Sequence, residues 1–192
     1  GAEVAEVSVP MHTYTIPLWN CVAIEGGLDS FTHGHQAYQT KGYFNPKLQS
    51  AMMRGLKTHA HDLSPTAKLG MLVAHYMRTR YDGVFYARAQ NFSRALTAAY
   101  DAVLDTADLV VMPTTPQTAH KRPALPEEDR AEHISQALNM CWNTAAFDLT
   151  GHPSISVPVH GVDGLPVGLM LTGRHFEDAT VLRAAHAYEQ SA

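Results

Sequence analysis

A long apolar stripe followed by a short, wholly apolar segment is the feature that most constrains this chain. Residues 109–112 contain no polar side chain, which predicts a short strand buried on both faces. Because a long helix leads into this strand, the pattern indicates an α/β fold. The helix is predicted by apolar residues that recur three and four positions apart after Gly83, which are Phe85, Ala89, Phe92, Leu96, Ala99 and Val103.

Local signals predict the other elements. Asn45-Pro46 and Ser64-Pro65 each place a capping side chain before a proline, which is typical of a helix start. The segment Val162-Asp163-Gly164-Leu165 predicts a tight hairpin turn. The remaining predictions are a strand at 4–9, a helix at 13–25, a loop at 26–44, a helix at 127–142, strands at 154–159 and 166–172, and a final helix that begins at Glu177.

Two of these helices carry apolar positions that are expected to face the interior. On the helix at 127–142 they are Ile134, Leu138, Cys141 and Trp142. On the final helix they are Val181, Leu182, Ala185 and Tyr188.

Composition excludes some classes of protein. The 192 residues are 45% hydrophobic and 17% charged, which suits one domain with a real core or a large piece of a bigger domain. The formal net charge is -4 and no basic run occurs, so the sequence does not indicate a nucleic-acid binder. No segment is long and apolar enough to span a bilayer. Two cysteines are too few for a disulfide framework, and we expect a cytoplasmic protein.

The sequence contains no recognisable catalytic motif. There is no Gly-x-Ser-x-Gly, no Ser-x-x-Lys, no glycine-flanked Ser-Ser pair and no P-loop, and the first residue is Gly1 rather than a nucleophile. Cys21 and Cys141 lie in apolar surroundings, where a thiol is usually a small core residue. On motifs alone, no reaction is predicted.

Histidine is abundant, with 12 residues. The pairs His33-x-His35 and His59-x-His61 could chelate a metal ion. No acidic residue accompanies either pair at the spacing of a known metalloenzyme motif, so surface or loop histidines are the preferred interpretation and no metal or other cofactor is expected.

Several segments, in order, resemble the amidase signature family, and the details are most similar to bacterial broad-specificity amidases. Residues 143–158 read NTAAFDLTGHPSISVP and residues 164–176 read GLPVGLMLTGRHF, as in the C-terminal signature of that family. The terminal helix after Asp178, the strand and Pro-Thr-Thr-Pro loop at 108–116, and the opening strand at 1–10 fit the same order. The resemblance therefore covers residues 1–192 as the C-terminal part of one incomplete domain.

The resemblance implies an α/β/α sandwich around a mixed, twisted sheet, to which strands 108–112, 154–159 and 166–172 belong. It implies hydrolysis of a carboxamide to a carboxylic acid and ammonia by a Lys and two Ser residues. Those residues precede the matched region in the family order, so no catalytic residue is assigned to this chain. The implied partners are an N-terminal amidase half and a small-molecule amide. The start at Gly1 is also typical of the middle of a longer protein, although an artificial start is an alternative.

The same resemblance implies that this region builds walls of the acyl pocket, which should be apolar and aromatic. The predicted wall residues are Trp19, Leu138, Cys141 and Trp142, with Leu138 and Cys141 as i, i+3 neighbours on one helix face. An ordinary core role is the alternative for all four. Thr114 and Thr115 are expected at the pocket entrance or, alternatively, as caps of a turn.

Two other functions stay open. A non-catalytic subunit or interaction domain would use the fold without the chemistry. The A-type component of a glutamyl-tRNA amidotransferase would need protein partners and a tRNA surface, which the missing basic patch does not favour. A homo-oligomer is compatible with any of these interpretations.

Overall fold

The computed structural model describes residues 1–27, 42–121 and 129–191. They form two compact units, the first from Gly1–Trp19 and Asn91–Ala192 and the second from Asn20–Gln90. Most of the loop predicted at 26–44, and residues 127 and 128 of the predicted helix, lie outside the described residues. Within the described ranges, no helix has the length and apolar character needed to cross a membrane.

The first unit contains the only sheet that the described residues form. Its strands are β1 (Val110–Pro113), β2 (Ser154–Val162) and β3 (Leu165–Thr172), in the order β1-β3-β2 with both pairings antiparallel. Its helices are α1 (Thr15–Trp19), most of α4 (Val84–Leu104), α5 (Arg130–Leu138), α6 (Thr144–Thr150) and α7 (Asp178–Ser191).

The predicted hairpin turn joins β2 to β3. Asp163 and Gly164 both have positive φ, 52° and 77°, as a two-residue type I′ turn requires. The ladder is irregular between Val159 and Val162. At this point a Cβ on Gly161 would lie 2.2 Å from the carbonyl oxygen of Leu165, so the close approach of the two strands requires glycine.

The sheet lies between two helical layers, so the predicted α/β class and sandwich are confirmed. Successive β3 side chains point to opposite faces. Met170 joins a core cluster with Leu96, Tyr100 and Phe147, which come from α4 and α6. Leu171 joins a second cluster with Val181 and Ala185 from α7, together with Val157 of β2.

The second unit is helical. It contains a π-helical turn (Asn20–Glu25), α2 (Pro46–His59), a short 3-10 turn (Ala60–Asp62) and α3 (Pro65–Tyr81), followed by the first residues of α4. Both predicted helix starts are confirmed: Asn45 Oδ1 accepts from the N–H of Leu48 at 3.1 Å, and Ser64 Oγ accepts from the N–H of Ala67 at 3.2 Å.

Three predictions about elements are wrong. Residues 4–9 form no strand and are almost wholly exposed, since no described strand lies beside them. The helix at 127–142 ends at Leu138, where the chain bends at Asn139, so Cys141 and Trp142 lie beyond the helix. The strand at 109–112 is not buried on both faces, because Val111 is 54% exposed.

Two predicted apolar faces also need correction. The buried stripe of α4 runs through Ala89, Ser93, Leu96, Tyr100 and Leu104, while Phe85 and Phe92 face solvent. Leu96 is therefore a core position as predicted. The prediction that Phe85 and Phe92 belong to the buried stripe is wrong. On α7, Val181 and Ala185 are buried as predicted, whereas Leu182 is exposed.

The corrected stripe yields a stability prediction. Leu96→Ala should lower the free energy of unfolding by about 2–5 kcal/mol, because it empties a fully buried site between α4, α6 and the sheet. Phe92→Ala, on the same helix but 51% exposed, should lower it clearly less. Urea unfolding followed by circular dichroism measures both, and equal losses would contradict the corrected stripe.

Candidate functional site

Among the described residues of the first unit, two clefts are candidate sites. The first, here named the sheet cleft, has a volume of about 330 Å³. Its walls are Thr114, Thr144, Phe147, Asp148, His152, Ser154, Ile155, Ser156 and Met170. The second, here named the loop cleft, has a volume of about 540 Å³ and lies between residues 115–121, α5, Met140 and Pro166.

Hydroxyl groups line the sheet cleft, and each has a local partner. Thr114 and Ser156 share a 2.5 Å hydrogen bond between their hydroxyls. Ser154 is 2.8 Å from the hydroxyl of Thr172, its cross-strand neighbour. Thr144 donates to the carbonyl oxygen of Cys141 at 3.3 Å. These groups are therefore engaged with other hydroxyls or with backbone rather than with a base that would activate them.

Gly168 makes the Thr114–Ser156 contact possible. A Cβ at this position would lie 2.5 Å from Ser156 Oγ and 2.6 Å from Thr114 Oγ1. The carbonyl of Gly168 also accepts a 2.8 Å hydrogen bond from the N–H of Thr114, which continues the β1–β3 pairing past Pro113. A glycine in the middle of a strand is explained here by the close approach of two side chains.

His152 lines the sheet cleft and is itself buried. Its Nε2 lies 3.1 Å from Asp101 Oδ1 on α4, and its Nδ1 lies 2.8 Å from the hydroxyl of Thr150. A carboxylate can only accept, so Nε2 carries the hydrogen and Nδ1 accepts from Thr150. The imidazole therefore links the C-terminal end of α6 to α4.

The surroundings of His152 favour its neutral form. Burial lowers the pKa of this imidazole, and the nearby His175 lowers it further, against the opposing effect of Asp101. The rings of His152 and His175 are stacked with centroids 4.0 Å apart. Tyr100 and Phe147 pack against the same imidazole.

Thr150, His152 and Asp101 have the order of a hydroxyl–imidazole–carboxylate triad, which is the arrangement that activates a nucleophile. Thr150, however, lies in the last turn of α6, is buried and does not line the sheet cleft. Its hydroxyl is therefore not presented to a ligand. The three residues form a buried structural network, which no motif in the sequence had indicated, although the histidine between Gly151 and Pro153 was visible.

Neither cysteine has the properties of a nucleophile. Burial raises the pKa of the Cys21 thiol, with a smaller contribution from the charge of Glu25. Burial likewise raises the pKa of Cys141, and the charge of Asp148 adds to this effect while a backbone hydrogen bond opposes it. Both thiols are half-buried and free, and both stay protonated near neutral pH.

None of the four predicted wall residues lines the sheet cleft or the loop cleft, so their role as pocket walls stays a prediction. The Trp19 indole N–H donates to Asp148 Oδ2 at 3.1 Å, and Asp148 lines the sheet cleft. Leu138 ends α5, between Ala137 and Met140, which line the loop cleft. Cys141 follows, and its thiol lies 3.7 Å from the carbonyl oxygen of Leu138.

Trp142 and the two threonines complete this arrangement. The Trp142 indole N–H donates to Asn139 Oδ1 at 3.0 Å, and its ring is partly exposed. Thr114 lines the sheet cleft and Thr115 lines the loop cleft. Thr115 also donates to the carbonyl of Gln117 at 2.9 Å, so this threonine both lines a cleft and closes a turn.

His152 also gives a prediction about pH. Because its pKa is lowered in the folded state, the unfolded chain binds the additional proton first, near the ordinary histidine value of about 6.5. This contribution to stability is complete above that value and is lost as the pH falls below it towards the lower pKa of the folded state. Urea unfolding between about pH 7.5 and 5 should show a smaller loss of stability for His152→Gln than for the unaltered chain. His160→Gln, at an exposed position on β2, should behave like the unaltered chain, and an unchanged pH dependence in His152→Gln would refute the assignment.

Comparison with known proteins agrees with this fold. The family model described as Amidase matches residues 1–182. A Rhodococcus erythropolis protein described as "Uncharacterized protein in nthA 5'region" is 44% identical over 174 residues, which cover 90% of this chain and 87% of that protein. The enantioselective amidase of Rhodococcus rhodochrous is 39% identical over 187 residues, which cover 96% of this chain but only 36% of that enzyme.

Solved structures show the same relation at the level of the fold. The A-type component of the glutamyl-tRNA(Gln) amidotransferase of Thermotoga maritima superposes with a TM-score of 0.63 at 22% identity, over 100% of this chain and 35% of that one. The chain thus spans little more than a third of the length of this Thermotoga protein and of the Rhodococcus rhodochrous enzyme. With a matching family model over nearly all of its residues and a relative 39% identical among the amidases, the chain belongs to the amidase family.

Proposed function

We propose that this chain is the C-terminal part of an amide hydrolase that converts a carboxamide and water into a carboxylic acid and ammonia. The observation that carries the proposal is the match to the amidase family over residues 1–182. The hydroxyls of the sheet cleft are engaged with other hydroxyls or with backbone, which agrees with a nucleophile supplied from elsewhere. The Lys and Ser residues of the chemistry would then belong to an N-terminal amidase half, and this chain alone would be inactive.

The part played by these residues is to hold the site rigid. Catalysis of acyl transfer depends on donors that are fixed before the reaction begins, and such donors need a stiff mount. The sandwich supplies one, because the sheet is packed on both faces and the Thr150–His152–Asp101 network ties α6 to α4 beside the sheet cleft. The strands of the other half would extend the sheet and make it mixed.

The acyl pocket would be walled by Trp19, Leu138, Cys141 and Trp142. The Trp19 indole donates to Asp148 and the Trp142 indole to Asn139, and each of these hydrogen bonds favours one orientation of the ring. Leu138 and Cys141 are in contact at the end of α5. Aromatic and apolar walls of this kind suit the acyl group of an aromatic or branched amide.

Two free cysteines are in keeping with a reducing, cytoplasmic setting.

Two alternatives differ in class. A non-catalytic protein derived from the fold is favoured by the high identity to the short Rhodococcus erythropolis protein, of which this chain covers 87%. The A-type component of a glutamyl-tRNA amidotransferase is supported by the fold shared with the Thermotoga maritima protein. The net charge of -4 favours a small amide over a tRNA-linked substrate.

A chimera tests the main proposal. In the chimera, this chain replaces the matching 36% of the Rhodococcus rhodochrous amidase. The chimera should hydrolyse benzamide, which is measured as the release of ammonia. The purified 192-residue chain should release none, because it lacks the nucleophile. A matched control is the chimera with its upstream serines replaced by alanine. Turnover by the isolated chain, or a folded chimera without activity, would defeat the proposal.

The pocket assignment has its own test in that chimera. Trp19→Ala and Trp142→Ala should each reduce kcat/KM for benzamide by about 10-fold or more, with a smaller effect on acetamide, because a lost apolar wall mainly weakens binding of the larger acyl group. Trp19→Phe keeps an aromatic ring but removes the hydrogen bond to Asp148. This variant therefore distinguishes the effect of the apolar surface from the effect of the hydrogen bond that orients the ring. Phe176→Ala, at a ring that is 98% exposed, is the matched control. Unchanged selectivity between the two amides would show that neither tryptophan forms a wall of the acyl pocket.

A further inference from the structure

The end of α2 brings two imidazoles and a carboxylate together on the surface of the second unit. His59 Nδ1 lies 3.3 Å from Asp62 Oδ2, and His61 Nε2 lies 3.1 Å from Asp62 Oδ1. One ligand atom from each of the three residues lies within 4.8 Å of the other two. Their side chains are 68%, 76% and 64% exposed, so an ion and its water ligands would reach them freely.

The change of backbone geometry at His59 creates this cluster. Neighbouring residues of an α-helix point in different directions, so His61 and Asp62 would not meet if α2 continued. The chain instead leaves the α-helix at His59, with φ -127° and ψ 23°, and enters the 3-10 turn Ala60–Asp62. Lys68 of α3 donates to the carbonyl oxygen of His61 at 2.7 Å and so ties the turn to the next helix.

The separations are compatible with ligands that surround one transition-metal ion. Nitrogen and oxygen ligands at about 2.0–2.2 Å from a tetrahedral Zn²⁺ lie about 3.3 Å from each other. The two nitrogen–oxygen distances, each to a different oxygen of Asp62, are close to this value, which is also that of a histidine–carboxylate hydrogen bond. Two imidazoles with one carboxylate also form a donor set that suits Zn²⁺ rather than Mg²⁺ or Ca²⁺, which prefer oxygen ligands.

We propose that His59, His61 and Asp62 form a surface binding site for Zn²⁺, with water in the remaining positions. The ion would join the C-terminal end of α2 to the 3-10 turn. The other three-residue group in the described ranges, Asp101 with His152 and His175, is less suitable. Its imidazoles are stacked at 4.0 Å, and both nitrogens of His152 already have hydrogen-bond partners.

Equilibrium dialysis of the 192-residue chain against ZnCl₂ tests the site. One Zn²⁺ should bind per chain. His61→Gln or Asp62→Asn should each weaken Zn²⁺ binding by about 10-fold or more, because the loss of a direct ligand should cost at least as much as the loss of an outer-shell partner. Mg²⁺ at the same concentration should not compete. In a spectrum of ring-labelled histidines, Zn²⁺ should shift the resonances of His59 and His61 together.

Matched variants assign the binding to this cluster. His33→Gln/His35→Gln removes the other His-x-His pair of the sequence, and His175→Gln removes the stacked imidazole. Both variants should bind Zn²⁺ like the unaltered chain. Binding that survives His59→Gln/His61→Gln, or that requires His33 and His35, would overturn the proposal, as would an absence of binding by the unaltered chain. Circular dichroism confirms that each variant keeps its fold, which is expected because His59, His61 and Asp62 are exposed.

Discussion

The first unit depends on one strand that is hydrogen-bonded on both sides. β3 pairs with β1 through Val110↔Thr172 and with β2 through Ser154↔Thr172, so the same residues join the sheet in both directions. Its alternating side chains serve both layers, with Met170 packed towards α4 and α6 and Leu171 towards α7. The sheet separates the layer of α4 and α6 from the layer of α7. Both core clusters and both clefts therefore depend on the register in which β3 pairs with its two neighbours.

The elements that depend on local chemistry could be predicted from the sequence. The caps at Asn45 and Ser64 and the turn at Asp163-Gly164 follow from residues that act on their own backbone, so spacing and residue type were sufficient. The strand at Val110–Pro113 pairs with the distant β3, and its apolar run was enough to predict it. The α/β class followed from the long helix that leads into this strand. The buried side of α4 could not be predicted, because Tyr100 and Phe92 are both aromatic and only the packing partners distinguish them.

The sites were harder to predict because they join distant parts of the chain. Asp101 and His152 are 51 residues apart and meet only after α4 and α6 pack together. Asp62 lies next to His61 in sequence, yet helix geometry alone would have turned the two side chains apart. The predicted wall residues Trp19 and Trp142 have specific partners in the structure, Asp148 and Asn139, which no periodicity could have indicated.

The outer position of β1 has a consequence for assembly. Within the described residues, one side of this strand has no neighbour, and Val111 on it is exposed. The strand is only four residues long and ends in Pro113, which has no N–H to offer. Such a short edge can pair with one strand in a defined register. It offers too few hydrogen-bonding groups to promote the stacking of identical chains into fibrils.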